Sequence, residues 1–290
     1  LRGFEWYYWN RRSHSELQTL SVSDLPDLAG STAMNSNGTR LVSRLFDLSG
    51  LSRDHETKLW DLESGTLLAT LPYDVVTQTT AIDANGRRIA STSPAGSDSV
   101  RITIYDCDGP TAPITFIEKG IVPAVNTFTP KLWFSVDGRK LGLPLNYHEN
   151  DGSSSLAVKF WDVQTGVELA KLALPDASEF RVAISPDGTR VAVCPDAALA
   201  QDNPVGDVVQ IVDVASQQTV ASIPVGRWSG MLFSADGQRL FVFGITSPEQ
   251  KAKGLSECGI YDCTTGDQLA MLPDLYLPIS HAAASPDGQC

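Results

Sequence analysis

The sequence predicts an all-β fold built from one repeated unit of four short antiparallel strands. An Asn-Gly or Asp-Gly dipeptide recurs roughly every 50 residues along the 290-residue chain. A second turn signal, an Asp after an aromatic or apolar residue, lies in the later half of each unit. No stretch between these turns reads as a helix of useful length, so βαβ units are not expected. Units of this size bury both faces only when they stack around an axis, which predicts a β-propeller with four strands per blade.

The first turn of each unit predicts a tight hairpin, because Asn or Asp followed by Gly tolerates positive φ angles. A basic residue stands two positions after almost every turn glycine and an apolar residue follows it, as in Lys140 and Leu141. The strand therefore leaves each turn in the same polar-out, apolar-in phase. The turn glycines are Gly38, Gly86, Gly138, Gly188, Gly237 and Gly288.

The second turn of each unit joins the last two strands. Its Asp can cap the turn, and a glycine a few positions later can take positive φ, with Gln217 as the exception. Recurrence at a turn position indicates capping rather than catalysis. These carboxylates are Asp61, Asp106, Asp162, Asp213 and Asp262.

The repeat predicts a single propeller domain over residues 1–290 with five complete blades. Their approximate bounds are 21–71, 72–117, 123–174, 175–224 and 225–272. Residues 1–20 align on the later half of a blade, with Trp9 at the position of Trp60, and residues 273–290 read as the start of another. We expect a ring of six or seven blades, or a fragment of one.

The loops between the second and third strands are irregular in length and rich in Gly, Ser, Pro, Asn and Asp. Variable loops on a rigid scaffold often carry binding sites, which predicts an interaction rim, but ordinary solvated loops fit the same composition. Both interpretations stay open. The candidate rim residues are Arg53, Asp54, His55, Glu56, Tyr147, His148, Glu149, Asp151, Asp196, Asp202, Asp207, Lys251 and Lys253.

The sequence predicts no catalytic residue, no metal ion and no cofactor. It contains no glycine-rich phosphate loop, no HExxH and no Gly-x-Ser-x-Gly pattern. Its five cysteines are irregularly spaced and imply no disulfide framework. His55 and His148 each stand beside carboxylates that could bind a metal or transfer protons, but a solvated acidic loop is the simpler interpretation.

Net charge constrains the partners. The chain carries 34 acidic and 22 basic residues, a formal charge of −12. Nucleic acids and anionic membranes both require a basic face, so contact with either is not expected. We expect a protein partner and a monomeric domain. A cytoplasmic location is favoured, and an extracytoplasmic one stays open if a membrane anchor lies upstream.

Several segments resemble the WD40 repeat family. They are Leu59-Trp60-Asp61, Phe134-Ser135-Val136-Asp137-Gly138, Phe160-Trp161-Asp162, Ser185-Pro186-Asp187-Gly188 and Phe233-Ser234-Ala235-Asp236-Gly237. The resemblance implies a propeller that serves as a platform for protein–protein contacts without catalysis. One departure is that the family's Gly-His pair before the first strand of each blade is absent. The hydrogen-bond network from that His to the Trp and Asp of the blade therefore cannot form.

The opening segment Leu1–Trp9 is similar to a segment that precedes WD40 repeats in large planctomycete-type bacterial proteins. Many of those proteins carry a serine/threonine kinase domain upstream. The resulting prediction is a non-catalytic scaffold, the docking or sensor region of a larger bacterial signalling protein. The alternative is a propeller enzyme or small-ligand binder that uses polar groups at its central channel or rim. Small and apolar residues dominate the predicted channel-lining strands, which favours the scaffold.

Overall fold

A computed structural model gives the conformation of ten segments of the chain. They are residues 28–47, 56–71, 79–109, 112–121, 131–148, 154–174, 180–195, 207–225, 230–245 and 255–276. Within these segments all regular structure is β, and the twenty strands form five sheets of four. The all-β prediction is therefore confirmed.

The strands follow the chain in groups of four. Sheet 1 contains β1 (Leu28–Met34), β2 (Arg40–Asp47), β3 (Glu56–Asp61) and β4 (Leu67–Leu71). Sheet 2 contains β5 (Thr79–Ile82), β6 (Arg88–Pro94), β7 (Ser99–Asp106) and β8 (Ile114–Lys119). Sheet 3 contains β9 (Trp133–Phe134), β10 (Lys140–His148), β11 (Ser154–Asp162) and β12 (Glu168–Ala173). Sheet 4 contains β13 (Phe180–Ile184), β14 (Arg190–Pro195), β15 (Asp207–Asp213) and β16 (Thr219–Val225). Sheet 5 contains β17 (Gly230–Phe233), β18 (Arg239–Ile245), β19 (Leu255–Asp262) and β20 (Gln268–Tyr276).

Each sheet is an antiparallel meander in which every strand pairs with the next one along the chain. In sheet 3, Leu141 lies opposite Phe134 on one side and Trp161 on the other. In every sheet except sheet 2, the register of the third and fourth strands shifts just before the second turn, as between Phe160 and Trp161. The fixed register follows from the alternation of apolar and polar residues, because a slip along a whole strand would turn every apolar side chain outward.

The chain divides into two compact units, Leu1–Tyr73 and Asp74–Cys290. Sheet 1 belongs to the first unit and sheets 2 to 5 to the second. In the second unit, β5 lies beside β9 and β13 beside β17, so the first strands of successive sheets are neighbours.

The cores of the second unit lie between successive sheets. One core joins sheets 2 and 3 around Ile102, Leu143 and Trp161. Neighbouring residues on β11 face opposite ways, since Phe160 is buried in the core shared with sheet 4. A third core joins sheets 4 and 5. Each intervening sheet is therefore covered on both faces, as expected for units that cannot shield themselves singly.

The turns use the left-handed backbone region where the sequence places glycine. Gly138 has φ of 67° in the first turn of sheet 3, and Gly166 has φ of 71° in the second. Gln217 takes φ of 57° at the equivalent place in sheet 4, the single non-glycine residue with positive φ among those described. Gly109, at the corresponding place in sheet 2, does not adopt positive φ.

Candidate functional site

Most of the predicted interaction rim lies outside the described residues. This applies to Arg53, Asp54, His55, Glu149, Asp151, Asp196, Asp202, Lys251 and Lys253, and also to the turn residue Gly288.

Four rim residues lie in strands, so their prediction as loop residues was wrong. Glu56 begins β3, Asp207 begins β15, and Tyr147 and His148 end β10. The ladder between β10 and β11 continues through the pairs Tyr147–Ser155 and His148–Ser154. The polar composition of this segment concealed backbone pairing that extends as far as its last residues.

Tyr147 belongs to a cluster of charged residues, hereafter the Lys159 cluster. Its members are Glu118, Tyr147, Lys159, Glu168 and Lys171. The ammonium of Lys159 lies 2.7 Å from Oε1 of Glu118 and 2.8 Å from Oε2 of Glu168. The Lys159 side chain is only 10% exposed and that of Glu118 16%. The cluster fastens β8 of sheet 2 to three strands of sheet 3.

The tyrosine lies at the centre of this cluster. Its hydroxyl donates to Oε1 of Glu118 at 3.3 Å. The Lys171 ammonium stands 4.3 Å from the ring centroid, and the Lys159 ammonium 5.5 Å. Both distances suit a cation–π attraction. Burial, followed by the charge of Glu118, raises the pKa of Tyr147. The phenol therefore keeps its proton.

Lys159 is held in its charged form. Burial alone would lower the pKa of its ammonium, but hydrogen bonds to Glu118 and Glu168 outweigh burial and raise the pKa above its ordinary value. A lysine that acts as a base or nucleophile needs a lowered pKa instead. The arrangement is suited to fastening two sheets together and not to proton transfer.

The turn carboxylates cap the turns that contain them. Oδ1 of Asp61 accepts hydrogen bonds from the backbone N–H and the hydroxyl of Ser64, both at 2.7 Å. These bonds, the backbone one first, lower the pKa of Asp61. Asp213 has the same contacts with Ser216, and its pKa is lowered for the same reason.

Two further turn carboxylates are capped by threonine. The hydroxyl and then the backbone N–H of Thr165 lower the pKa of Asp162. The backbone N–H groups of Thr265 and Thr264 lower that of Asp262.

Asp106 differs from the other four turn carboxylates. It faces the Arg87 guanidinium, whose Nη2 lies 3.0 Å from Oδ2, and this hydrogen bond lowers the pKa of the carboxyl. Asp106 also accepts the backbone N–H of Asp108 at 3.1 Å, so its turn keeps a backbone cap and adds an ion pair.

The thiols of Cys258 and Cys263 have raised pKa values and therefore stay protonated at neutral pH. Burial raises the pKa of Cys258, and burial raises that of Cys263 to about 12. Every resolved pKa shift among the described residues thus favours the charge state that the group already has at neutral pH. Acid–base catalysts show the opposite behaviour, with pKa values moved toward the working pH.

The residues described contain no group of three or more His, Cys, Asp and Glu side chains that could hold a metal ion. In the same part of the chain, no helix has the length and apolar character needed to cross a membrane.

Sequence reasoning missed the role of the basic residue after each turn glycine. It was interpreted as an outward polar residue, but in sheets 2 and 3 it reaches the first turn of the next sheet. Nη1 of Arg88 donates to the carbonyl of Gly138 at 3.1 Å. Nζ of Lys140 donates to the carbonyl of Asp187 at 3.2 Å. The recurrence of a base at this position was the available signal.

Solved structures define the class of the fold. A chain of the mitotic checkpoint complex matches with a TM-score of 0.58 and 16% identity, over 90% of this chain and 70% of that one. Hydrazine synthase of Kuenenia stuttgartiensis matches with a TM-score of 0.55 and 16% identity, over 93% and 94%. TolB from Acinetobacter baumannii gives 0.49 and 15%, over 85% of this chain and 54% of TolB. The two matches with TM-scores of 0.58 and 0.55 show the fold class, an all-β propeller with four-stranded antiparallel blades.

Among sequences, no family model matches the chain. The translation initiation factor 3 subunit I of Culex quinquefasciatus is 21% identical over 257 residues, which are 87% of this chain and 73% of that protein. This weak similarity supports the WD40-type resemblance found in the sequence.

Proposed function

We propose that this chain is a non-catalytic scaffold that holds a protein partner. The propeller fold, the weak similarity to an initiation factor subunit and the acidic loop composition support the proposal. Fold alone does not decide, because propellers include both enzymes and scaffolds.

The observation that carries the proposal is the state of the ionisable groups. The turn carboxylates are committed to capping, and Tyr147 and Lys159 are committed to the contact between sheets 2 and 3. Active sites commonly contain at least one acid or base whose pKa is moved toward the working pH. Among the described residues, every pKa that is shifted lies further from neutrality than the ordinary value of its group.

We place the partner contact on the loop rim that includes Asp196 and Asp202. These residues are acidic and lie between the second and third strands of sheet 4 in the sequence. A partner with a basic face would complement them, and such complementarity mainly raises the association rate and the specificity.

The test uses a photo-crosslinking residue at Asp202 of the full chain, compared with one at Asp267. Asp267 is exposed and lies in the turn between the third and fourth strands of sheet 5, β19 and β20. It is therefore not part of a loop between second and third strands. We expect one discrete protein to be captured from Asp202 and not from Asp267. Charge reversal with D196K and D202K should reduce this capture while Tm stays unchanged, and D267K should reduce neither.

Two results would contradict the scaffold proposal. Equal capture from both positions would mean that the rim is not the contact. A large fall in Tm on adding a chelator would reveal a metal site and favour the enzyme or ligand-binding alternative.

We further propose that this scaffold is the docking or sensor region of a larger bacterial signalling protein. The support is the likeness of Leu1–Trp9 to a segment found in such proteins. The full open reading frame tests this directly: a kinase domain upstream is expected, and an unrelated domain there would overturn it.

A further inference from the structure

The first turns of the five sheets are of two chemical kinds. In sheets 3, 4 and 5 the turn begins with serine and has aspartate two positions later. In sheet 3, Oγ of Ser135 accepts the N–H of Lys140 at 2.9 Å and donates to Oδ1 of Asp137 at 2.5 Å. Oδ1 of Asp137 in turn accepts the N–H of Arg139 at 3.0 Å. Two side chains thus share the capping, and the first and third positions are in direct contact.

In sheet 2 a single side chain, that of Asp83, accepts both backbone N–H groups that the serine and the aspartate share in sheet 3. Oδ1 of Asp83 accepts the N–H of Arg87 at 2.8 Å and that of Arg88 at 3.0 Å. The third position is Asn85, which is exposed and is not needed for capping. Asp83 itself is only 4% exposed.

Sheet 1 has the same arrangement with a neutral cap. Oδ1 of Asn35 accepts the N–H groups of Thr39 and Arg40 at 3.0 and 2.9 Å. Its Nδ2 donates to Oγ1 of Thr39 at 3.0 Å, and Asn37 at the third position is exposed. In each described turn the first and third positions therefore carry at most one carboxylate between them.

Both exposed asparagines precede a glycine, which is the sequence most open to deamidation. The glycine nitrogen attacks the side-chain carbonyl carbon of Asn, the bond to the amide nitrogen breaks, and ammonia leaves with the proton from glycine. Water then opens the resulting succinimide ring to give aspartate or isoaspartate, with no change of oxidation state. The missing Cβ of glycine removes the steric obstacle to this attack.

In the closed turn the attacking nitrogen is occupied. The N–H of Gly86 donates to the carbonyl of Asp83 at 3.0 Å, and the N–H of Gly38 does the same to Asn35. The reaction therefore proceeds through local opening of the hairpin, so its rate reports how often each turn opens.

The product has different consequences in the two sheets. We propose that Asn85 is a deamidation site whose conversion to aspartate loosens the first turn of sheet 2, whereas conversion of Asn37 to aspartate leaves sheet 1 intact. A carboxylate at position 85 would stand where Asp137 stands in sheet 3, and there the third side chain touches the first. It would therefore lie beside the buried carboxylate of Asp83, and like charges at contact distance oppose each other. At Asn37 it faces the neutral amide of Asn35.

The loosening extends beyond the turn. Oδ2 of Asp83 lies 3.4 Å from the position that a Cβ would take on Gly138 of sheet 3. Arg88, whose N–H is capped by Asp83, donates to the carbonyl of the same glycine. Modification of Asn85 therefore weakens a contact between sheets 2 and 3.

The experiment compares the full chain with N85D, N37D and N85S. N85D should melt several degrees below the wild type, while N37D and N85S should match it. D83S/N85D rebuilds the serine–aspartate pair of the other sheets and should recover the melting temperature that N85D loses. Ageing at mildly alkaline pH with peptide mass mapping should show deamidation at Asn85 and a falling Tm, and aged N85S should lose less of its Tm than the aged wild type.

Three results would overturn the proposal. N85D could melt with the wild type, which would mean that the second carboxylate is tolerated. D83S/N85D could melt no higher than N85D, which would remove the carboxylate pair as the cause. Asn85 could stay intact in the folded chain after ageing that converts it fully in denaturant.

Discussion

We call the packed interface between two successive sheets a seam. The seam between sheets 2 and 3 and the seam between sheets 4 and 5 have different residues at the same position of the repeat. In sheet 3 the residue two positions before Trp161 is Lys159, which bonds to Glu118 across the seam. In sheet 5 the residue two positions before Tyr261 is Gly259. A Cβ on that glycine would lie only 2.5 Å from the Tyr261 ring, so the ring fills the space that a side chain at position 259 would need.

The comparison shows that the space at this position must be filled, but that either a charged side chain or an aromatic ring can fill it. The seam of sheets 4 and 5 is apolar around Ile223, Leu240 and Tyr261. The seam of sheets 2 and 3 adds a tilted contact between Phe116 and Trp161, with ring centroids 5.4 Å apart, to a nearly buried ion pair. Such an ion pair must offset the desolvation of both charges, so its net benefit is small, but removing one partner is costly.

Lys159→Met should have the largest effect. It leaves Glu118 nearly buried without its cation, so we expect a loss of about 3 kcal/mol in the free energy of unfolding. Adding Glu118→Gln should restore most of this loss, because the amide oxygen still accepts from Tyr147. Urea unfolding of the single and double variants measures both. A double variant as unstable as the single one would show that the lysine contributes through packing rather than charge.

Gly259→Ala tests the other seam. The new methyl group would collide with the Tyr261 ring, which is 5% exposed, so we expect a loss of about 2 kcal/mol from overpacking. Gly109→Ala is the matched control, since a Cβ there meets nothing within 4 Å and the residue has no positive φ. The control should stay within about 0.5 kcal/mol of the wild type in the same urea titration. Equal losses from both variants would mean that the space over Gly259 is not filled as described.

The sequence predicts the shared part of the two seams and not their differences. The period of the turn glycines indicates the antiparallel sheets, and the Phe160-Trp161 pair indicates a strand buried on both faces. Nothing local indicates Glu118 as the partner of Lys159, because the two are 41 residues apart and belong to different sheets. The distance between them is a property of the packed sheets and leaves no periodic signal.

The candidate site was predictable to a lesser degree. The capping role of Asp61 and its equivalents follows from a turn pattern of a few residues, and local hydrogen bonds carry it out. The loop rim depends on segments without repeated pattern, and its one described side chain, Tyr147, lies in a strand and is 8% exposed. Composition identified polar residues there but not the ladder that holds them.

Alkaline pH should affect the two seams unequally. The pKa of Lys159 is raised in the folded chain above its ordinary value of 10.5. The stability that this contributes is complete below 10.5 and is lost as pH rises through the folded value, because the unfolded chain releases its proton first. We expect the wild type to lose more stability than Lys159→Met/Glu118→Gln in urea titrations as pH rises above about 10.5, and to match its slope at lower pH. Parallel losses would mean that the lysine titrates normally.

Glu168→Gln should have the smallest effect and separates the two carboxylates that Lys159 contacts. Glu168 lies 2.8 Å from the ammonium, nearly as close as Glu118, but its side chain is 45% exposed. Solvent screens such a pair, so we expect a loss of about 0.5 kcal/mol in the free energy of unfolding. Glu118→Gln alone should cost more, because the same charge is removed from a carboxylate that is only 16% exposed. If the two single variants are equally stable, exposure does not set the strength of these contacts, and the seam of sheets 2 and 3 is held by its apolar residues in the same way as that of sheets 4 and 5.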